Sequence, residues 1–283
     1  MIEQMAGVLD AWEPKNGVTT FSTGNDQEQV RTNYFFDSAD KVRVFTEPGA
    51  VDEDGMLTTP KHEAVNKVGH GLHLVDGPFK SYAQSDKVKA LVRELGWVAP
   101  VLPQSMYIFK QPRIGGEVTS HQDSTFLYTE PKRTCLGLWL ALQDATLQNG
   151  CLWARPGSHK ESVRRHFARN PEYWEKLDKS AEPMVFKDIG DASKAPWEGK
   201  MPTADGNTGT EEAVRGVGFE PLEVKAGDLV VIDGAVDHLS LANTSGTSRH
   251  TFQLHLVEGP KEGITWSPEN WLQYSDGKPF PDC

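Results

Sequence analysis

His121-Gln122-Asp123 sets an imidazole and a carboxylate two residues apart. On an extended strand such residues share a face, about 6–7 Å apart, which lets both reach one metal ion. In a chain with nine histidines, the pair also fits a strand end carrying a solvated aspartate. A second imidazole, His238, follows an apolar run and is read in the loop Asp237-His238-Leu239-Ser240. Two histidines and one carboxylate form the set that holds non-haem Fe(II) on one face and leaves its other positions open. A capping or solvated loop histidine is the plainer alternative for His238. Arg249 stands eleven residues further on. Alternation places Arg249, Thr251, Gln253 and His255 on one face of a strand, and His250, Phe252, Leu254 and Leu256 on the other. An inward guanidinium with a hydroxyl two residues on suits a carboxylate, because the planar fork bonds both oxygens. A solvated edge strand would show the same pattern.

These residues need rigid elements to hold them. From residue 100 onward, short runs rich in β-branched and aromatic residues recur between turn signals: residues 104–110, 135–143, 151–154, 222–224, 229–233 and 249–258. Asn149-Gly150 reads as a tight hairpin; Pro156-Gly157 and Ala226-Gly227-Asp228 read as further turns. Upstream, residues 41–45 alternate as a strand, and residues 84–96 form an amphipathic helix ending at Gly96. Val8–Trp12 reads as the end of a helix that Pro14 stops, and residues 51–59 form a loop or hairpin around Asp54-Gly55. The rest of residues 1–60 carries little pattern. Residues 164–179 read as a helix and residues 190–209 as a long exposed loop. Many short strands after a helical region predict an antiparallel sandwich or jelly-roll.

The bulk properties narrow the function. The chain has 283 residues and a formal charge of −11. An acidic chain lacks the basic face that a general nucleic-acid binder needs, and no apolar run is long enough to span a membrane. The first residues lack a secretory signal. Three cysteines, Cys135, Cys151 and Cys283, suit free thiols in a reducing, cytoplasmic setting rather than a disulfide framework; Cys135 and Cys151 read as small buried hydrophobes. His70, His73 and His159 read as packed, solvated or structural. Trp266 and Trp271 read as core anchors or as a wall of the substrate pocket.

The chain resembles the phytanoyl-CoA dioxygenase group of Fe(II)/2-oxoglutarate oxygenases, and its domain-containing members more than the hydroxylase itself. The likeness is carried by Gln104–Lys110, Ser120-His121-Gln122-Asp123, Trp139–Thr146, Asn149-Gly150-Cys151-Leu152-Trp153, Pro156-Gly157-Ser158-His159, the His238 and Arg249 region, and Trp266–Trp271. It spans roughly residues 17–280. The resemblance implies a mainly β fold with bracing helices: a double-stranded β-helix, or cupin-like jelly-roll. It implies that His121, Asp123 and His238 hold the iron and that Arg249 binds the distal carboxylate of 2-oxoglutarate. Lys67, Met106, Trp139 and Ser240 match the positions lining the cosubstrate pocket, although Lys67 by itself reads as a surface lysine. Against the family pattern, the chain starts partway through the usual N-terminal segment, which would leave a sheet edge open. The stretch between His121 and His238 is also long, with the excess in residues 160–220 as an insert or lid of a single oxygenase domain.

The expected activity is oxidative decarboxylation of 2-oxoglutarate by O2 to succinate and CO2, coupled to hydroxylation of a small or lipid-like substrate. Two other readings stand beside it: a non-catalytic jelly-roll that keeps metal or ligand, and a zinc-dependent cupin-like isomerase or hydrolase. Arg164-Arg165-His166 is the densest basic cluster available for acyl-CoA phosphates, and fits a solvated helix face as well. Oligomeric state leaves no mark on the sequence.

Overall fold

A computed structural model describes residues 1–14, 18–23, 27–203 and 209–283. The strands are β1 Val42–Thr46, β2 Val65–His70, β3 Pro100–Lys110, β4 Val118–His121, β5 Thr129–Glu130, β6 Leu136–Ala141, β7 Leu152–Ala154, β8 Arg165–Arg169, β9 Met184–Asp188, β10 Glu220–Leu222, β11 Leu229–Asp233, β12 His238–Ser240, β13 Arg249–Glu258 and β14 Thr265–Trp266. The α-helices are α1 Ile2–Ala11, α2 Asn33–Phe36, α3 Pro78–Ala83, α4 Asp86–Glu94, α5 Pro171–Trp174 and α6 Glu211–Gly216. A six-stranded sheet runs β1-β2-β3-β13-β6-β11, and a four-stranded sheet runs β10-β7-β12-β4. Every paired strand is antiparallel. This is the mainly β, cupin-like jelly-roll that the family resemblance implies, and one of the two forms, sandwich or jelly-roll, that the strand-and-turn pattern predicts. Among the described residues no helix is long and apolar enough to cross a membrane.

The period-2 pattern of β13 decides which face is which. Phe252, Leu254 and Leu256 are buried in a core with Met5 and Leu9 of α1, Phe79 of α3, and Val88 and Val92 of α4. The helices therefore cover the outer face of the larger sheet. Helix α4 presents Val88 and Val92 one turn apart, and Ser85 caps it by accepting from the Val88 N–H. Arg249, Thr251 and His255 face the interior and are buried there. Since β13 lies between β3 and β6, the solvated-edge alternative for Arg249 is excluded.

Four local expectations need correction. Residues 164–179 are not one helix. Arg165–Arg169 is strand β8, paired with β9, and only the single turn α5 follows. The Asn170-Pro171 step accounts for this: the residue before a proline is pushed out of the α region, and Asn170 then caps the new turn. His238 lies on strand β12 rather than in a loop, because β4 and β7 flank it and complete its ladder. Asn149-Gly150 closes no hairpin: β6 belongs to the larger sheet and β7 to the smaller, so the turn carries the chain between layers. The 190–209 loop is not simply exposed. Ala195, Glu198 and Met201 are buried, while residues 204–208 lie outside the described residues.

Candidate active site

The two histidines of the triad meet through strand register: His238 of β12 pairs directly with His121 of β4. Asp123 opens a short turn just after β4. Its turn is fastened to the β11–β12 connection, with the Ser124 N–H donating to the Gly234 carbonyl (2.8 Å). Between the two ligands, Gln122 faces away and donates to the Ala235 carbonyl (2.9 Å). Ligand atoms of His121, Asp123 and His238 lie within 4.8 Å of one another. Both imidazole Nε2 atoms stand 3.6 Å from Asp123 Oδ1.

The tautomers are set by the backbone. His121 Nδ1 donates to the Thr119 carbonyl (2.8 Å), and His238 Nδ1 donates to the Val236 carbonyl (3.1 Å). Each ring thus keeps its Nε2 lone pair for the shared centre, the arrangement a metal ligand requires. Burial, with His121 beside it, pushes His238 down to about 4, so it is neutral at physiological pH. Burial would raise the Asp123 carboxyl, but His238, His255 and His121 around it hold it well below the usual range.

His255 went unnoticed in the sequence as part of this centre. Its Nε2 lies 3.2 Å from Asp123 Oδ2, the oxygen turned away from the other two histidines. Gln104 Nε2 donates to His255 Nδ1 (3.2 Å), which leaves His255 Nε2 as the donor toward Asp123. Gly137 makes room for this, since a Cβ there would stand 3.2 Å from Asp123 Oδ2. The only advance signal was that His255 shares the Arg249 face of its strand.

One cavity between the sheets is lined by the triad and by Lys67, Met106, Trp139, Ser240 and Arg249. Thr251 is buried on the same face, with an unpartnered Oγ1, but is not among the lining residues. Arg249 is 2% exposed. Arg249 Nη1 donates to the Gly150 carbonyl (2.6 Å), and its guanidinium carbon lies 5.3 Å from the Trp139 ring centroid. Among the described residues no carboxylate is in ion-pair contact with it. Burial lowers it to about 10, which leaves it charged. Gly150 explains its motif at last: with φ +81°, a Cβ there would meet Lys110 Cδ at 2.5 Å.

Lys110, also missed, donates to Ser240 Oγ (2.8 Å), the Leu241 carbonyl (2.6 Å) and the Gly116 carbonyl (2.8 Å). Three acceptors use all three ammonium hydrogens, so Lys110 holds the floor, and Ser240, accepting from it, keeps its own hydrogen for a ligand. Lys67 is buried, not a surface lysine. Its Nζ lies 3.1 Å from the Phe21 ring centroid and 3.8 Å from Met106 Sδ. Burial brings it down to about 7. Glu47, the buried acid among these cations, is raised by the same desolvation.

The basic cluster at 164–166 resolves into three separate fates. Arg164 is buried and pairs with Glu198 (2.7 Å), Glu161 (3.0 Å) and Asp237. Arg155 also reaches Asp237, through Nε (2.9 Å). Asp237 immediately precedes His238, so this network fixes the ligand strand to the 155–198 region. Arg165 lines the cavity, stacked 3.6 Å from the Phe186 centroid, and His166 bonds Asn270 (3.0 Å). Neither a solvated helix face nor an open basic patch exists there. Cys135 and Cys151 are buried and free. Trp271 is a core anchor, stacked on Phe35 at 4.4 Å, and it also lines the cavity.

The donor set fits a ferrous centre on two observations: two imidazoles and one carboxylate converge on one point, and a charged, unpaired guanidinium lines the same cavity. Comparison with known proteins agrees. A family model described as Phytanoyl-CoA dioxygenase (PhyH) matches residues 3–251. The chain is 45% identical to "Phytanoyl-CoA dioxygenase domain-containing protein 1" of Rattus norvegicus, over 93% of this chain and 81% of that one. It is 43% identical to "Phytanoyl-CoA dioxygenase 1" of Oryza sativa subsp. japonica, over 96% and 84%. The fold is similar to the epimerase SnoN, solved with Fe3+, alpha ketoglutarate and nogalamycin RO (TM-score 0.52, 15% identity, 90% of this chain and 91% of that one). It is also similar to the alpha ketoglutarate dependent carbocyclase SnoK (TM-score 0.50, 17% identity, 88% and 90%). With this fold, this triad and these relatives, the chain belongs to the phytanoyl-CoA dioxygenase family.

Proposed function

We propose that this chain is an Fe(II)- and 2-oxoglutarate-dependent dioxygenase that hydroxylates a small or lipid-like substrate. The observation that carries the reading is the buried Arg249, charged and without a carboxylate partner, in the cavity that also holds His121, Asp123 and His238. A buried charge is stable only when paired, and a dicarboxylate cosubstrate would pair it. When bound, iron would supply the redox chemistry that couples 2-oxoglutarate decarboxylation to substrate oxidation by O2.

The chain's own residues do the rest. His121 and His238 offer Nε2 because Thr119 and Val236 carbonyls occupy Nδ1. His255 holds Asp123 Oδ2 and so leaves Oδ1 as the ligand oxygen. Arg249 and Ser240 grip the distal carboxylate, while Thr251 is buried behind them on the same face, outside the cavity lining. Lys67 adds positive charge, Trp139 and Met106 wall the cosubstrate, and the 160–220 segment covers one side through Arg165, Phe167, Phe186 and Glu198.

The test is succinate release from 2-oxoglutarate by the purified, Fe(II)-loaded chain under O2. Turnover that Asp123→Ala abolishes is expected. No succinate, with Asp123→Ala indistinguishable from the parent, would overturn the enzymatic reading. A non-catalytic module would bind metal but not 2-oxoglutarate in calorimetry; a zinc hydrolase would be restored by Zn2+ rather than Fe(II).

A further inference from the structure

His70 is 1% exposed and belongs to none of the roles above. Its ring is enclosed by aromatics: Trp271 at 4.9 Å, Phe45 at 5.8 Å and Phe35 at 6.0 Å between centroids. It also lines the cavity that holds the triad.

Its protonation follows from its neighbours. The hydroxyl of Ser38 has one hydrogen, and the Phe35 carbonyl, which can only accept, takes it (2.5 Å). At the 2.7 Å contact between Ser38 Oγ and His70 Nδ1, the oxygen must therefore accept and Nδ1 must carry the hydrogen. Burial, with Lys67 and His255 nearby, keeps this imidazole neutral. Nε2 is then a bare lone pair. Among the described residues it has no hydrogen-bond partner, and His70 is one of the residues that line the cavity.

We infer that His70 Nε2 is a substrate-recognition acceptor, and that the primary substrate is a largely apolar molecule carrying a hydroxyl or N–H donor. One part of the wall fits the apolar portion: Phe126, Phe167, Phe186 and Trp271 line the same cavity, alongside polar residues that include Arg165 and Glu198. A plain hydrocarbon tail in this place would leave a buried acceptor unpaired, which is unfavourable. A donor-bearing substrate satisfies it, and a site built this way rejects analogues that lack the donor. This rests on the oxygenase reading only in taking the cavity as the substrate site.

The test uses 2-naphthalenemethanol and its methyl ether, titrated calorimetrically into the full chain without metal or 2-oxoglutarate. The ether is the more apolar probe, so any preference for the alcohol reports the acceptor. The parent is expected to bind the alcohol about three- to tenfold more tightly, and His70→Phe to lose that preference. Equal affinities in the parent, an undiminished preference in His70→Phe, or no binding of either probe overturns the assignment. Should His70→Phe not fold, 15N NMR of the parent gives the same decision. A pyridine-type Nε2 that shifts with the alcohol and not the ether supports the role; a pyrrole-type Nε2, or no selective shift, ends it. Because neither measurement requires turnover, a chain that releases no succinate can still pass this test, and an active one can still fail it.

Discussion

On one face of β13, Phe252 and Leu254 pack with Phe79 of α3 and the helix cores, and His250 shares a hydrogen bond with Tyr107 (2.9 Å). On the other face, among the described residues, Arg249 has no carboxylate in ion-pair contact and Thr251 Oγ1 has no hydrogen-bond partner. His255 spends its bonds on Gln104 and Asp123. The outer face is complete in the folded chain by itself. The inner face leaves the Arg249 guanidinium for a ligand to pair, under the function proposed above. On the proposed function, one strand contributes stability through one set of side chains and ligand affinity through the other.

Breaking each face separately should separate the two effects. The largest is expected from Arg249→Met. It removes two charge-assisted bonds, about 1.5–3 kcal/mol each, so 2-oxoglutarate affinity in calorimetry should fall by at least about a hundredfold. The urea midpoint should hold or rise, since an unpaired buried cation is removed. A fall in stability without loss of affinity would reverse the assignment of the faces. Next is Phe252→Ala on the outer face, which should lower unfolding stability by about 3–5 kcal/mol while the folded fraction keeps its 2-oxoglutarate affinity. His255→Phe should weaken metal binding about 10–100-fold, visible by equilibrium dialysis, with the secondary structure intact by circular dichroism.

The smallest effect concerns Lys67. Burial lowers its folded value to about 7, against about 10.4 in an unfolded chain. Between these values the unfolded state binds more protons, so this group makes stability rise with pH above about 7, by at most about 1.4 kcal/mol per pH unit. Below about 7 both states are protonated and the contribution is flat. Lys67→Met should remove that slope from urea midpoints measured at pH 7 and 8. Saturating 2-oxoglutarate should also flatten it, because a bound carboxylate favours the ammonium.

Much of the site was legible one residue at a time. Alternation alone placed Arg249, Thr251, Gln253 and His255 on one face, and the opposite residues Phe252, Leu254 and Leu256 do join the helix-covered core. The β-rich character after residue 100 was equally readable, because two-sided strands leave a period-2 trace. Other features were hidden for physical reasons. The partners of His121 and His238 are backbone carbonyls, which every residue possesses, so no side chain announces them. Arg164 gave the wrong impression because a charge run normally lies in solvent; three acids brought from residues 161, 198 and 237 bury it. Lys67 misled likewise, as only the fold puts Phe21 and Met106 against it.

The sequence alone determined the local chemistry: which residues can bind metal, which strand faces alternate, and where β structure gives way to turns. These depend on residue type and short spacing. The tertiary structure decided which of those residues meet. Register brings His121 opposite His238, Gly137 leaves space for the Asp123 carboxylate, and Ser38, thirty-two residues away, sets the proton of His70. Contacts of that range are fixed by packing, which no local pattern of residues records.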